Sequence, residues 1–359
     1  MKRYFHGFLL SGLIACLAAC AGAAPPASSN GGAAGSKPAA VSVLPRGASG
    51  SAPAALFPFK IAYASISGTA LPLWIAADAG LFRDSGLDAS LVAMTVNSSA
   101  LMAALSSGEV NLVLTDGGTA ADGRAAGADV RVVAQLQPVS PYGLAGAPEI
   151  KSTDDLKGRK IGVQSLSGSD AVATKLLLSK LGLDWKTDVS LISVGSGGSS
   201  TRVAALLNGT VQATVVDPRA DLPAIQPKGF HLVADLAALG VPALSASLAI
   251  NGAYATAHPE AIQKFTDAIV RAIAREKTDK PYGLKLLERN LKNDDDAVMG
   301  PAYDFFQQAV PSLPYPQRPG FEATLPLLSD DNPKLKEVDL SALLDPSFVR
   351  SAAERKVGQ

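Results

Sequence analysis

Two hydroxyl-rich loops carry the groups best suited to hold a ligand. Ser65, Ser67, Gly68 and Thr69 lie in Lys60–Ala70, KIAYASISGTA, and Ser165, Ser167, Gly168 and Ser169 lie in Lys160–Ala171, KIGVQSLSGSDA. The two lysines set the offset between the copies at 100 residues. Each copy reads as a strand, a Ser-x-Ser-Gly-(Thr/Ser) loop and a helix. A helix N-terminus behind such a loop offers free backbone N–H groups and hydroxyls, a setting that favours an anion. In the first copy Ser67 or Thr69 is placed to cap a helix that Pro72 helps to start. One such loop alone is also an ordinary capped turn found on many folds; the pairing singles these out. The chemistry on offer is hydrogen bonding rather than bond making. The sequence contains no nucleophile elbow and no His-Glu-x-x-His metal motif.

A second pair of segments must position these loops. Ser98–Asp116, SSALMAALSSGEVNLVLTD, returns as Ser199–Asp217, SSTRVAALLNGTVQATVVD, at an offset of 101 residues. Ala104, Leu105, Gly108, Val110 and Asp116 pair with Ala205, Leu206, Gly209, Val211 and Asp217. Each copy reads as an amphipathic helix, a Gly C-cap, a buried strand and a terminal Asp. A strand ending in a polar residue puts that residue at the carboxyl edge of a sheet, where ligands bind in open α/β folds. Two units in one order at one spacing predict two similar lobes facing across a cleft.

The start of the chain reads as a targeting signal. Lys2 and Arg3 precede the apolar run Phe8–Leu17, and Leu17-Ala18-Ala19-Cys20 resembles the lipobox of bacterial lipoproteins. Residues 1–19 are therefore expected to be a signal peptide and Cys20 the lipidated first residue of the mature chain, tying it to the membrane. Of the 2 cysteines, Cys16 leaves with the leader and Cys20 is consumed by lipid. The folded part then has no disulfide, thiol nucleophile or Cys metal site. Residues 20–56, rich in Ala, Gly, Ser and Pro, read as a flexible tether. The formal net charge of +0 and an aromatic content of 6% imply no nucleic-acid surface. After the leader no apolar stretch is long enough to span a bilayer. No cofactor is implied.

Strands and helices alternate from Phe59 to about Leu236, an α/β pattern. The expected division is lobe 1 over 57–145, lobe 2 over 146–245, and a return to lobe 1 with C-terminal helices over 246–359. The crossings, and so the hinge, are expected near Pro138–Pro148 and Val241–Ser247. His258-Pro259-Glu260 opens a helix with Ile262, Phe265, Ile269 and Ile273 at helical spacing. Beyond Pro311 the periodicity weakens, and that tail is expected to wrap the first lobe.

With these elements placed, the chain resembles the substrate-binding proteins of ABC importers in the nitrate/sulfonate/taurine and thiamine-precursor group, NMT1/THI5-like. The match rests on Leu73–Phe82, LWIAADAGLF; Ala103–Asn111, AALSSGEVN; Asp154–Val163, DDLKGRKIGV; and His258-Pro259-Glu260, over about Phe59 to Ala274. The resemblance implies a two-lobed periplasmic-binding-protein fold of type II, with two crossing strands as hinge and no chemistry performed. It also implies that the ligand is met by Ser65, Ser67, Gly68, Thr69, Asn97, Ser98, Asp116 and Gly117 from lobe 1. From lobe 2 it implies Ser165, Ser167, Gly168, Ser169, Asp217 and Arg219. Where family members often carry aromatic residues around that last Asp-Pro, this chain has Val215, Val216 and Arg219. Ring stacking is thereby put in doubt and a cation brought in.

The expectation is a membrane-tethered monomer in the cell envelope that captures a small organic molecule and hands it to an ABC permease. A sulfonate or carboxylate suits the hydroxyl loops and Arg219. Asp116 and Asp217, unless they only cap loops, favour an amine or a pyrimidine-like thiamine precursor. A pyrimidine-synthase-like enzyme shares the fold, but His231 in an apolar strand and His258 at a helix start lack a catalytic partner nearby in sequence. A ligand-sensing receptor is the remaining alternative.

Overall fold

The repeat becomes two sheets of one plan. The computed structural model describes residues 55–63, 66–94, 98–164, 166, 169–195, 198–219, 221–330 and 332–359. The expected signal peptide, Cys20 and almost all of the tether lie outside them. In chain order, β1 (Phe57–Tyr63), α1 (Leu71–Asp78), α2 (Leu81–Asp84), β2 (Leu87–Ala93), α3 (Ser98–Ser107), β3 (Leu112–Thr115), α4 (Gly117–Ala125) and β4 (Val130–Gln135) begin lobe 1. Lobe 2 holds β5 (Gly143–Gly146), β6 (Lys160–Val163), α5 (Ser169–Lys180), β7 (Ser190–Ser193), α6 (Gly198–Leu207), β8 (Ala213–Val216), α7 (Leu222–Ile225) and β9 (His231–Asp235). The chain returns in β10 (Ser247–Asn251). It ends with α8 (Gly252–Ala257), α9 (Pro259–Thr278), α10 (Lys280–Leu291), α11 (Asp296–Ala309), α12 (Arg318–Leu328), α13 (Leu340–Leu343) and α14 (Ser347–Glu354).

The sheet orders are β2-β1-β3-β10-β4 and β7-β6-β8-β5-β9. In the first, β1 runs parallel to β2 and β3, and β10 runs antiparallel to β3 and β4. In the second, β6 runs parallel to β7 and β8, and β5 runs antiparallel to β8 and β9. Each lobe thus takes its fourth strand from a crossing. The repeat extends to single hydrogen bonds. Met94 N–H donates to the Tyr63 carbonyl at 3.0 Å, as Val194 does to Val163 at 2.9 Å. Asn111 N–H donates to Lys60 at 2.8 Å, as Gln212 does to Lys160 at 2.9 Å. The expected Gly C-caps are left-handed in both copies, with φ of 79° at Gly108 and 77° at Gly209.

Lobe 1 buries its sheet on both faces. Phe59, Ile61 and Leu71 pack with Phe265, Ile269 and Ile273 of α9 on one side, while Leu101, Leu105 and Val113 pack with Phe321 and Leu325 of α12 on the other. Lobe 2 has its own core around Leu144, Ile161, Leu177 and Val215. The lobes divide a little earlier than expected at 145/146. Gly143 to Ala145 already pair with β8 and β9, because antiparallel pairing of the whole strand satisfies their backbone. The crossings occupy 136–142 and 236–246. They run side by side, with Ala243 N–H donating to the Pro138 carbonyl at 2.8 Å and an antiparallel bridge between Val139 and Pro242.

The tail packs on lobe 1 through α14 against α9 and β4, but it does not stay there. Helix α12 also meets α5 of lobe 2. Just beyond it, Asp330 pairs with Lys186 of lobe 2 at 3.0 Å. No helix of the described residues is long and apolar enough to cross a membrane.

Candidate functional site between the lobes

The carboxyl ends of β1, β3, β6 and β8 all lead into loops that carry expected ligand groups. Of these groups, Ser65, Asn97, Ser165, Ser167 and Gly168 lie outside the described residues, and Ser98 and Ser169 are described only as the first residues of α3 and α5. The loop after β1 forms one 3-10 turn, Gly68–Ala70. The expected side-chain cap is not made there. Ser67 Oγ and Thr69 Oγ1 hydrogen-bond each other at 2.7 Å, and α1 starts from Ala70 with Pro72 in its first turn. The intervening 3-10 turn separates the hydroxyls from the α-helical N–H groups they would otherwise cap. Gly68 is required by packing, since a Cβ would come within 2.0 Å of the Phe306 ring.

Asp116 caps α4. Its carboxylate accepts from Thr119 N–H at 2.9 Å and from Thr119 Oγ1 at 2.6 Å, which places a negative charge at the positive end of that helix. The Gly117 N–H, expected to face a ligand, donates to the Leu244 carbonyl of the second crossing at 2.7 Å. A Cβ on Gly117 would meet the buried Phe321 ring at 2.7 Å. These two residues therefore tie the cleft edge of lobe 1 to the hinge.

In lobe 2, Asp217 is held by its neighbours. Its carboxylate accepts from Arg219 N–H at 2.9 Å and pairs with the Arg219 guanidinium at 2.8 Å. That guanidinium also donates to the Pro141 carbonyl at 3.2 Å and lies 3.3 Å from the centroid of the Phe305 ring on α11. Phe305 belongs to lobe 1, so Arg219 spans the cleft. The ring stacked on Arg219 thus comes from the opposite lobe and not from a sequence neighbour of Asp217.

Behind the start of α5 sits a buried ion pair that sequence reasoning did not single out. Arg202 of α6 meets Asp170 at 3.4 Å, with side-chain exposures of only 4% and 5%. Arg202 Nε donates to the Val215 carbonyl at 3.0 Å, and Asp170 accepts from the N–H of Gln164, the residue that follows β6. The pair thereby ties α5 and α6 to the ends of β6 and β8.

A cavity of about 370 Å³ opens between the lobes, within the range of small-molecule sites. Asp116 and Thr119 line it from lobe 1, Ser140 and Tyr142 from the first crossing, Leu176 from lobe 2 and Thr324 from α12. The buried Thr324 hydroxyl has no hydrogen-bond partner. Asp122 adds a second carboxylate, and the described lining contains no Lys or Arg. Thr324 comes from the weakly periodic tail, where no sequence signal marks it. Ser140 and Tyr142 lie in the proline-flanked segment that marks the crossing.

Among the described residues no group of His, Cys, Asp and Glu is arranged to hold a metal. The His258 ring lies 5.5 Å from that of Phe57 and 4.7 Å from that of Tyr254, a packing position. His231 is half-buried in β9, opposite Gly146.

Two five-stranded α/β lobes joined by paired crossings, with a cavity between them, define a two-lobed periplasmic-binding-protein fold. The chain belongs to the NMT1/THI5-like family, whose model matches residues 68–279. A solved structure from Bordetella bronchiseptica RB50 superposes with a TM-score of 0.63 at 26% identity, covering 83% of this chain and 98% of that one. The periplasmic aliphatic sulphonate binding protein SsuA of Escherichia coli gives 0.64 at 19%, covering 80% and 92%. The desulfurization enzyme DSZB gives 0.56 at 18%, covering 83% and 99%. The fold is thus shared by a binding protein and an enzyme. No curated protein matches the chain.

Proposed function

We propose that the protein is an exported, lipid-anchored solute-binding protein that captures a small organic molecule between its lobes for the permease of an ABC importer. The observation that carries this reading is the cavity lined at once by α4, α5, both crossings and α12. A ligand there contacts both lobes only while they are closed, so its binding favours the closed form. The Leu17–Cys20 tetrapeptide behind a charged, apolar leader supports the anchor. Cys20→Ala is expected to release the protein from the membrane fraction; a variant that stays anchored removes lipid from the proposal.

The head group we assign is a sulfonate or carboxylate, met by the hydroxyls and backbone N–H groups of the Ser65–Thr69 and Ser165–Ser169 loops, which lie beyond the described lining of the cavity. A second reading, an amine or aminopyrimidine, is favoured by the two carboxylates and missing cations of the described cavity lining. Thermal unfolding with ethanesulfonate, with an alkylamine and with 4-amino-5-hydroxymethyl-2-methylpyrimidine separates them. Ethanesulfonate at a hundred times its Kd is expected to add about 2.7 kcal/mol of stability. Stabilisation by the amine or pyrimidine alone reverses the head-group assignment, and any ligand converted to product at a rate proportional to protein makes the chain an enzyme.

Arg219 enters the proposal as a clasp rather than as a dedicated anion partner, because its guanidinium is already committed to Asp217, Pro141 and Phe305. Arg219→Ala and Phe305→Leu are each expected to weaken ethanesulfonate binding by about 0.5–2 kcal/mol, the range of a cation–π contact. Acting on one contact, they should not add in the double variant. A large loss for Arg219→Ala beside none for Phe305→Leu would instead put Arg219 on the ligand.

A further inference from the structure

Behind the Gly68–Thr69 loop, on the side of α1, lies a second and much smaller cavity. It has about 10 Å³ of space for a water-sized guest and is lined by Gly68, Thr69, Gln137, Glu276 and Phe306. Two of these side chains are buried and unpaired. Gln137, on the first crossing, is 2% exposed and neither its amide nitrogen nor its amide oxygen has a hydrogen-bond partner. Glu276, on α9, is 1% exposed and neither carboxyl oxygen has one. Buried polar atoms are almost always satisfied, and leaving one unpaired costs about 1–3 kcal/mol. Four such atoms around one space of this size describe a site for a guest. A water needs about 10–15 Å³ of such space and two to four polar partners.

We infer that this cavity is a subsite for a single hydroxylic oxygen, an O–H that both donates and accepts, held between the Gln137 amide and the Glu276 carboxyl. A carboxylic acid and a primary amide each present a donor and an acceptor, so together they match a group with both and match neither a bare cation nor a methyl. Burial keeps the Glu276 acid protonated at neutral pH, which supplies its donor. The titratable groups around it are Lys277 on its own helix, whose ammonium is turned to the Gln307 carbonyl, and the neutral Tyr303 on α11, whose hydroxyl donates to the Glu276 backbone carbonyl. The elements that supply Gly68, Thr69 and Gln137 place no titratable side chain in the lining. The oxygen comes either from a trapped water or from a hydroxyl of the ligand. The second source rests on the proposed solute-binding function.

A crystal structure of the ligand-free protein, at a resolution that defines waters, decides the subsite. An ordered oxygen within hydrogen-bond distance of both side chains is expected. An empty cavity, or a direct bond between Gln137 and Glu276, overturns the inference. In the paired variant Gln137→Leu/Glu276→Leu the oxygen should be gone; an oxygen that remains there overturns it too, and the parent structure decides if that variant does not fold. Calorimetry with ethanesulfonate and 2-hydroxyethanesulfonate identifies the source. At least tenfold tighter binding of the hydroxylated compound, lost in Gln137→Leu, assigns the oxygen to the ligand, whereas equal affinities with the oxygen unchanged assign it to water. If neither compound binds, the sulfonate reading fails while the crystallographic result for the subsite stands.

Discussion

Glu276→Gln is expected to make the protein more stable above pH 8 and to leave it nearly unchanged at pH 5. Burial raises the Glu276 carboxyl from 4.5 to about 8, with Lys277 opposing weakly. The folded protein therefore keeps this proton over a range in which the unfolded chain has released it. Where the folded state binds more protons, stability falls as pH rises. The loss starts near the unfolded value of 4.5, accumulates towards about 8 and is complete above it. A shift of this size corresponds to about 3–5 kcal/mol. Gln has nearly the same shape and no proton to lose, so the variant should not show this fall. Urea unfolding of parent and variant at pH 5, 7 and 9 measures the difference between them. Curves that stay parallel across the three pH values would show that Glu276 does not titrate as an isolated buried acid.

Arg202→Leu is expected to cost about 3–5 kcal/mol, the usual loss when one partner of a buried ion pair is removed. It strands Asp170, whose carboxylate is 5% exposed and is also the acceptor for Gln164 N–H. The internal repeat supplies the control. At the offsets of the two copies, Asp170 corresponds to Ala70 and Arg202 to Leu101, both fully buried in lobe 1. Lobe 1 thus fills with Ala and Leu the positions that lobe 2 fills with opposite charges. The double variant Asp170→Ala/Arg202→Leu copies that solution and is expected to recover most of the single variant's loss, since apolar replacement of a buried pair is often neutral or better. Denaturant midpoints of the parent and these two variants test this. A double variant no better than Arg202→Leu would mean that lobe 2 has packed around its charges in a way lobe 1 has not.

What could be read from the sequence was what the repeat stated twice. The strand–loop–helix order, the left-handed Gly108 and Gly209, and the buried Ala104–Leu105 and Ala205–Leu206 pairs are local, and local periodicity reports them well. The site was legible only as loops. Whether Asp116 faces a ligand or caps its own helix depends on which way its side chain turns, and Phe305 stands far from Arg219 in the chain. The return contact of the tail with lobe 2 was hidden by Pro326 inside α12, which blurs the helical period. Glu276 does leave a trace in the sequence. It continues the stripe Ile262, Phe265, Ile269 and Ile273 by one more step, which places an acid on the core face of α9.

The sheet order also sets what each lobe needs in order to be built. Lobe 2 is one continuous length of chain, and every strand of its sheet lies between Gly143 and Asp235. Lobe 1 is interrupted. Its β10 sits between β3 and β4, so until Ser247–Asn251 arrives those two strands have no partner to join them and their facing edges stay open. The segment that closes them is made only after all of lobe 2, which loads lobe 1 with long-range pairing and lobe 2 with short. During synthesis the inserted lobe can finish first. The exposed strand edges of the outer lobe are then the stretch most in need of a chaperone.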